Sequence, residues 1–268
     1  MSRGTMGIAG RALAVVAAVT VGFAVGDALA TPHEVAATTA QRSTPDFQHS
    51  WTLAPGKTLE IEEMSGAIHV TKAAGNQVEV TAWKHAQHSD PDQVTIEEIA
   101  HPGGVTVCVR YPGRGNTCEP GGHNHINTNN NDVSVDFEVR LPAGVCFVGR
   151  TVNGAVEATG LESDAEGHTV NGTVSIETSG RAEAHTVNGG VRARLGKLGA
   201  SGPITFETVN GSIVLELPDG AGAEVRARTV HGSIETDFPV TVLRVRHGFM
   251  GDRLEGTIGK GGPELEIQ

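Results

Sequence analysis

Thr151-Val152-Asn153-Gly154 recurs as Thr169-Val170-Asn171-Gly172, Thr186-Val187-Asn188-Gly189 and Thr208-Val209-Asn210-Gly211. A fifth copy, Thr229-Val230-His231-Gly232, has His in place of Asn. The copies start 18, 17, 22 and 21 residues apart. Near-identical tetrapeptides at a spacing close to twenty mark a repeat architecture, in which each short unit buries its apolar side against the next. A degenerate copy stands far upstream, where Met64-Ser65-Gly66-Ala67-Ile68 parallels Val152-Asn153-Gly154-Ala155-Val156.

After each Asn-Gly or His-Gly the sequence alternates with period two. Val156/Ala158, Val174/Ile176, Val191/Ala193/Leu195, Ile213/Leu215/Leu217 and Ile234/Thr236/Phe238 share one face. Glu157, Ser175/Glu177, Arg192/Arg194, Val214/Glu216 and Glu235/Asp237 share the other. A second short strand precedes the later copies, with Ala182/Ala184, Ile204/Phe206 and Val225/Ala227 inward. Continuing that phase puts the repeated Thr inward and Val outward, so a bend at Thr-Val that returns Val to the interior is expected.

Asn and Gly both tolerate φ > 0, which predicts a tight turn at Asn153-Gly154, Asn171-Gly172, Asn188-Gly189, Asn210-Gly211 and His231-Gly232. Asn-Gly between alternating strands is also the signal of an antiparallel hairpin meander. Repetition at one coil length favours stacking, with each Asn amide bonding the next and His231 closing the ladder. The fold class that follows is all-β: a β-solenoid, or parallel β-helix-like stack, with 17–22 residues per coil.

Upstream, residues 58–61, 67–71, 77–83, 94–99, 105–111 and 133–141 read as strands. Pro55-Gly56, Gly75-Asn76, Pro102-Gly103-Gly104 and Pro112-Gly113 punctuate them. Nothing resembles a linker, so residues 46–268 are expected to form a single β-repeat domain. Residues 31–45 are rich in Ala, Thr, Gln, Ser and Pro without an apolar period, as a flexible leader is. Residues 1–30 read as a signal peptide: Arg3 and Arg11 precede an apolar run, and Ala28-Leu29-Ala30 has the form of a signal-peptidase site. Cleavage after Ala30 predicts an exported protein in the periplasm, at the cell surface or outside a bacterium. No later apolar run is long enough for membrane insertion of the mature chain.

With 31 acidic against 20 basic side chains, the net charge is -11. That balance argues against a nucleic-acid partner, which needs clustered Lys and Arg, and against docking on anionic lipid. A hydrophobic share of 38% with 36 glycines is too apolar for a disordered chain. Three cysteines allow at most one bridge. Cys108 and Cys118 flank a turn-rich stretch holding Pro112, Gly113 and Gly115, and in an exported protein they are expected to form a disulfide. Cys146, within Val145-Cys146-Phe147-Val148, reads as a buried small apolar residue.

Candidate chemistry is sparse. His123, His125 and Asp132, in an Asn-rich stretch, are weak metal candidates; a polar loop is the plainer reading, since a metal needs three or four fixed ligands. His168 and His185, each ahead of a Thr-Val-Asn-Gly copy, should stack at the strand spacing of about 4.8 Å. No catalytic or cofactor motif is present. Glu157, Glu177, Glu216, Glu235 and Asp237 could supply an acid/base pair, but their interleaving with Arg192 and Arg194 favours cross-strand charge pairing. Trp51, Trp83 and Tyr111 make a thin platform for sugar stacking.

Three stretches and the repeats themselves carry a resemblance. The stretches are Met64-Ser65-Gly66-Ala67-Ile68-His69-Val70, Val78-Glu79-Val80-Thr81-Ala82, and the tail Leu254-Glu255-Gly256-Thr257-Ile258-Gly259-Lys260-Gly261-Gly262-Pro263-Glu264-Leu265. Together they resemble the bacterial putative-adhesin family of β-strand repeat proteins, over nearly all of the chain after residue 30. The resemblance implies a secreted β-repeat fold and surface binding, with no ligand site to carry over. The expectation is an exported, non-catalytic, adhesin-like surface or envelope binding module whose partner is a cell-surface glycan or an envelope protein. The alternatives are a polysaccharide-acting enzyme on a β-helix scaffold and a purely structural envelope protein.

Overall fold

The structure is a computed structural model and describes residues 11–16, 44–122, 126–128, 130–198, 202–248 and 251–268. The expected cleavage segment Ala28-Leu29-Ala30 and the leader up to residue 43 lie outside the described residues. Among those described, every regular element is a strand, apart from one 3-10 turn at Pro91–Gln93.

The strands form two sheets. The first runs β18 (Ser233–Thr236), β1 (Arg11–Val16), β16 (Ile213–Leu217), β14 (Val191–Leu195), β12 (Val174–Thr178), β10 (Val156–Leu161), β4 (Ile68–Lys72), β8 (Ser134–Leu141), β5 (Val78–His85), β2 (Phe47–Trp51). The second runs β19 (Val240–Gly248), β20 (Gly251–Ile258), β17 (Ala223–Thr229), β21 (Glu264–Ile267), β15 (Ile204–Asn210), β13 (Ala182–Asn188), β11 (Ala165–His168), β9 (Cys146–Arg150), β3 (Thr58–Glu62), β7 (Gly104–Arg110), β6 (Thr95–His101). Each tetrapeptide corner carries the chain from the second sheet to the first. Like strands of successive copies then lie side by side in parallel, with Val156 opposite Val174, Val174 opposite Val191 and Val191 opposite Ile213. No Asn-Gly corner joins antiparallel neighbours. The fold is all-β and β-helix-like, with long parallel runs capped by antiparallel strands at β2, β5 and β6 and at β19 and β20.

Period-two alternation explains the interior. Val156, Val174, Ile176, Val191, Leu195, Ile213, Leu215 and Leu217 are buried from the first sheet; Ala182, Ala184, Ile204, Phe206, Val225 and Ala227 are buried from the second. The pattern weakens in the last copy, where Thr236 is exposed because β18 is the terminal strand of its sheet.

Each position of the tetrapeptide has its own duty. Thr151, Thr169 and Thr186 are buried. The hydroxyls of Thr169, Thr186 and Thr208 donate to Gly154 O, Gly172 O and Gly189 O of the preceding copy, each at 2.9 Å. Val does not return to the interior: Val170 and Val187 are 37% exposed, Val230 65% and Val209 69%. The Thr takes the inward place and is held there by its hydrogen bond, which leaves Val the outward side. Asn171 Nδ2 donates to Asn153 Oδ1 at 2.8 Å, Asn188 Nδ2 to Asn171 Oδ1 at 2.9 Å, and Asn210 Nδ2 to Asn188 Oδ1 at 2.9 Å.

The backbone reason expected for Asn-Gly holds only in part. Gly189 (φ 158°) and Gly232 (φ 121°) have positive φ, but none of the asparagines does, nor do Gly154, Gly172 and Gly211. Glycine is required by close approach instead. A Cβ on Gly154 would overlap Gly66 O, one on Gly172 would overlap Gly154 O, and one on Gly211 would overlap Gly189 O. The ladder ends at Asn210, and His231 and Gly232 are not on it. Strand β21 lies between β15 and β17, so the fifth copy is one strand removed from the fourth. Thr229 Oγ1 accordingly donates within its own copy, to His231 O at 2.8 Å. An inserted strand, not imidazole chemistry, stops the column.

Candidate functional site

Strand β5 alternates strictly: Val78, Val80 and Ala82 are buried, so Trp83, in the opposite phase, is turned outward and half-buried. Its antiparallel partner β8 places Asp136 opposite Trp83 and Glu138 opposite Thr81. On the other side of β8, β4 places His69 beside Glu138. These three strands enclose a depression of about 280 Å³ lined by Ala67, His69, Trp83, His85, Asp136, Phe137 and Glu138. Asp136 is fixed by the Ala67 N–H, which donates to its Oδ1 at 2.9 Å, and its Oδ2 lies 3.3 Å from His85 Nε2. His69 Nδ1 lies 3.2 Å from Glu157 Oε2 at the rim. An aromatic face, carboxylate acceptors and imidazoles thus converge on one concave spot, which is the composition of a small polar-ligand site. A larger hollow of about 700 Å³ is lined by Leu198, Lys260 and the backbone of Gly220, Gly222, Gly259 and Gly261, and offers little side-chain chemistry.

Trp51 stacks on His49 at 4.5 Å, and the buried Tyr111 donates its hydroxyl to Val133 O at 2.8 Å. The signal for Trp83 was present in the sequence, as an indole out of phase with three apolar neighbours. Its carboxylate partners come from a strand more than fifty residues away, which no local pattern reveals.

A charged row crosses the outer face of the second sheet. Glu60, 5% exposed, accepts from Arg150 Nη1 at 2.5 Å, Thr106 Oγ1 at 2.9 Å and Gly121 N at 2.8 Å. Arg150 also reaches Glu166 at 3.3 Å, and Glu166 lies 2.5 Å from His168 Nε2. The His168 contact holds the Glu166 carboxyl below the ordinary range. His168 and His185 stack with centroids 4.9 Å apart and rings 2° from parallel, and His185 Nδ1 faces Glu207 at 3.3 Å.

The remaining candidates are dispersed. Cys108 and Cys118 are bridged, with Cα atoms 5.7 Å apart. The segment beyond the bridge brings Gly121 over Glu60. Cys146 is half-buried rather than a core residue, because the phase of β9 turns Val145 and Phe147 inward and Cys146 out; burial pushes its thiol pKa up. His123 and His125 lie outside the described residues. Asp132 is engaged by the backbone N–H groups of Ser89 and His88 at 2.8 and 3.0 Å, which hold its carboxyl well below the usual range. Among the described residues no three His, Cys, Asp or Glu side chains converge as a metal site. Glu216 pairs with Arg194 at 2.7 Å, as the charge interleaving predicts, whereas Glu177, Glu235 and Asp237 stand exposed on the outer face.

Glu63, at the corner after β3, is 3% exposed, and its carboxyl oxygens lack a well-formed hydrogen bond. The neighbouring Thr151 hydroxyl donates instead to Gly66 O at 3.3 Å. Burial, with Asp136 nearby, raises the Glu63 pKa well above the ordinary carboxyl value.

No family model matches the chain, and no curated protein matches it. Among solved structures the chain is similar to a putative cell adhesion protein from Clostridium sporogenes, with a TM-score of 0.40 and 10% sequence identity, over 84% of this chain and 93% of that one.

Proposed function

We propose that this protein is an exported, non-catalytic, adhesin-like binding module on a β-solenoid of 17–22 residues per coil, and that the Trp83 depression takes a carbohydrate. The observation that carries the reading is the outward indole of Trp83 beside Asp136, Glu138, His69 and His85. A sugar ring offers an apolar C–H face and a rim of hydroxyls. The indole packs against the first, and carboxylates accept charge-assisted hydrogen bonds from the second. At about 280 Å³ the depression is at the small end of the range of small-molecule clefts. Acidic walls disfavour phosphate-bearing ligands.

Polysaccharide cleavage is the weaker reading. It needs a carboxyl of raised pKa that touches substrate. Glu63 has the raised pKa but is enclosed, and Glu157 and Glu216 are turned to His69 and Arg194. Export is supported by the order of charge, apolar run and Ala28-Leu29-Ala30, and a disulfide suits an oxidising compartment.

The test is a glycan array followed by calorimetric titration with protein from the exported fraction. At least one glycan class should bind, and Trp83→Ala should weaken it by about tenfold, the equivalent of about 1.4 kcal/mol, with an unchanged thermal melt. Capture of an envelope protein with no glycan bound, or equal glycan affinity in the Trp83→Ala variant, would overturn the carbohydrate assignment. An N-terminus at Met1 in that fraction would overturn cleavage after Ala30, and absence of the protein from it would overturn export.

A further inference from the structure

In both sheets the fourth and fifth repeat copies are separated by the width of one strand. In the second sheet the spacer is β21, hydrogen-bonded to β15 on one side and β17 on the other. In the first sheet the spacer is β1, antiparallel to β16 and to β18. Leu13 lies opposite Leu215 and Thr236, and Val15 opposite Ile213 and Ile234. Because β21 is wedged between β15 and β17, the strands that follow them, β16 and β18, stand two spacings apart, about 9.5 Å, too far to pair directly. β18 has β1 as its sole ladder neighbour among the described residues.

Strand β1 lies within the segment read as the export signal. We infer that the gap between β16 and β18 is a strand-acceptor slot, held by Arg11–Val16 in the full chain and open to an extended partner strand once that segment is removed. The inference rests on the export reading. Loss of β1 uncovers the backbone N–H and C=O groups along β16 and the whole ladder of β18, and such edges pair readily with added strands.

The chain's own leader has the wrong residues to take the place. Phe47 begins β2, eight strand steps from β1 across the first sheet, a distance of about 38 Å. At about 3.4 Å per residue, crossing it consumes roughly eleven residues of the segment that follows Ala30. About five residues would be left, 31–35, in which Pro32 cannot donate to a ladder and His33 and Glu34 break the aliphatic alternation of residues 11–16. The occupant is therefore a strand of another protein, about five residues long. The register of β1 gives its sequence pattern: aliphatic residues at the alternate positions paired with Ile213 and Leu215.

The probe is a labelled peptide of residues 10–17, Gly-Arg-Ala-Leu-Ala-Val-Val-Ala. Protein processed at Ala30 should bind it saturably, and uncleaved full-length chain about tenfold more weakly. A peptide carrying Ala14→Cys should form a disulfide with a Glu235→Cys, Cys146→Ser variant, since Ala14 and Glu235 are directly opposed. A peptide carrying Ala12→Cys should not. Should the exported chain retain Met1, the cleavage reading fails, and the slot is tested in the full chain: Leu13→Asp with Val15→Asp should then create peptide binding. Absence of binding to folded processed protein, or cross-linking without register preference, overturns the slot. Slow amide exchange along β16 in processed protein without peptide would also overturn it, by showing direct closure. A concentration-dependent dimer dissociated by the peptide would overturn the choice of a foreign partner in favour of a second copy.

Discussion

Thr186 fills the interior of its corner and donates to Gly172 O at 2.9 Å. Thr186→Val keeps the volume and removes the donor, so about 1–2 kcal/mol should be lost. Urea unfolding should show a lower midpoint at unchanged slope. Asn188 makes two side-chain bonds, donating to Asn171 and accepting from Asn210, but it is exposed and water competes for both. Asn188→Ala should cost about 1 kcal/mol, and Asn153→Ala, which loses one well-formed bond, about half as much. Equal shifts in midpoint would mean that the column does not act as a ladder. Repetition marked these positions without giving their mechanism. Asn-Gly reads as a φ > 0 turn in any single copy, and only the distance between copies shows that Gly154 and Gly172 are needed for close approach. The outward Val170 and Val209 are the same lesson, since the bond that keeps Thr inward is made to another copy.

At the level of strands, alternation was a sound guide wherever one side faces the interior. β8, β14 and β16 fall within the segments read from sequence, and β4, β5 and β12 run one or two residues beyond theirs. The order of strands was not legible. β21 alternates Leu265 and Ile267 inward, yet nothing local says that it inserts between β15 and β17. The same limit hid the site: Trp83 was visible as an out-of-phase indole, and its meeting with Asp136 depends on a distant pairing. The Cys108–Cys118 bridge could be read because both ends lie in one short, turn-rich segment. It ties the end of β7 to the segment whose Gly121 N–H covers Glu60. Replacing both cysteines with Ala should cost about 2–3 kcal/mol for a loop this short. Thermal melts should drop accordingly, and the Gly121 amide should exchange faster with solvent.

For the whole molecule the most consequential ionisable group is Glu63. Burial raises its folded pKa above the ordinary carboxyl value of 4.5, with Asp136 adding to the effect; Tyr111 is itself raised by burial, with the Glu63 charge adding to it. Folding therefore favours the protonated carboxyl. Its contribution is complete below the unfolded pKa and is lost as pH rises through the folded one. Above pH 4.5 the wild type should lose at most about 1.4 kcal/mol per pH unit relative to Glu63→Gln, until the raised pKa is passed. Urea titrations of the two proteins across that window measure the difference. Parallel slopes would show that the carboxyl is charged in the folded chain.

The parallel register of the repeats gives the array a direction and a unit of growth. Duplicating the 17 residues that begin at Thr169 would add one strand to each sheet and shift everything beyond by about 4.8 Å. The new Asn would accept from one neighbour and donate to the other, and its Gly would sit under the next carbonyl. The Trp83 depression, built on β4, β5 and β8, would not move. Tandem duplication can therefore lengthen the array while the Trp83 depression stays as it is.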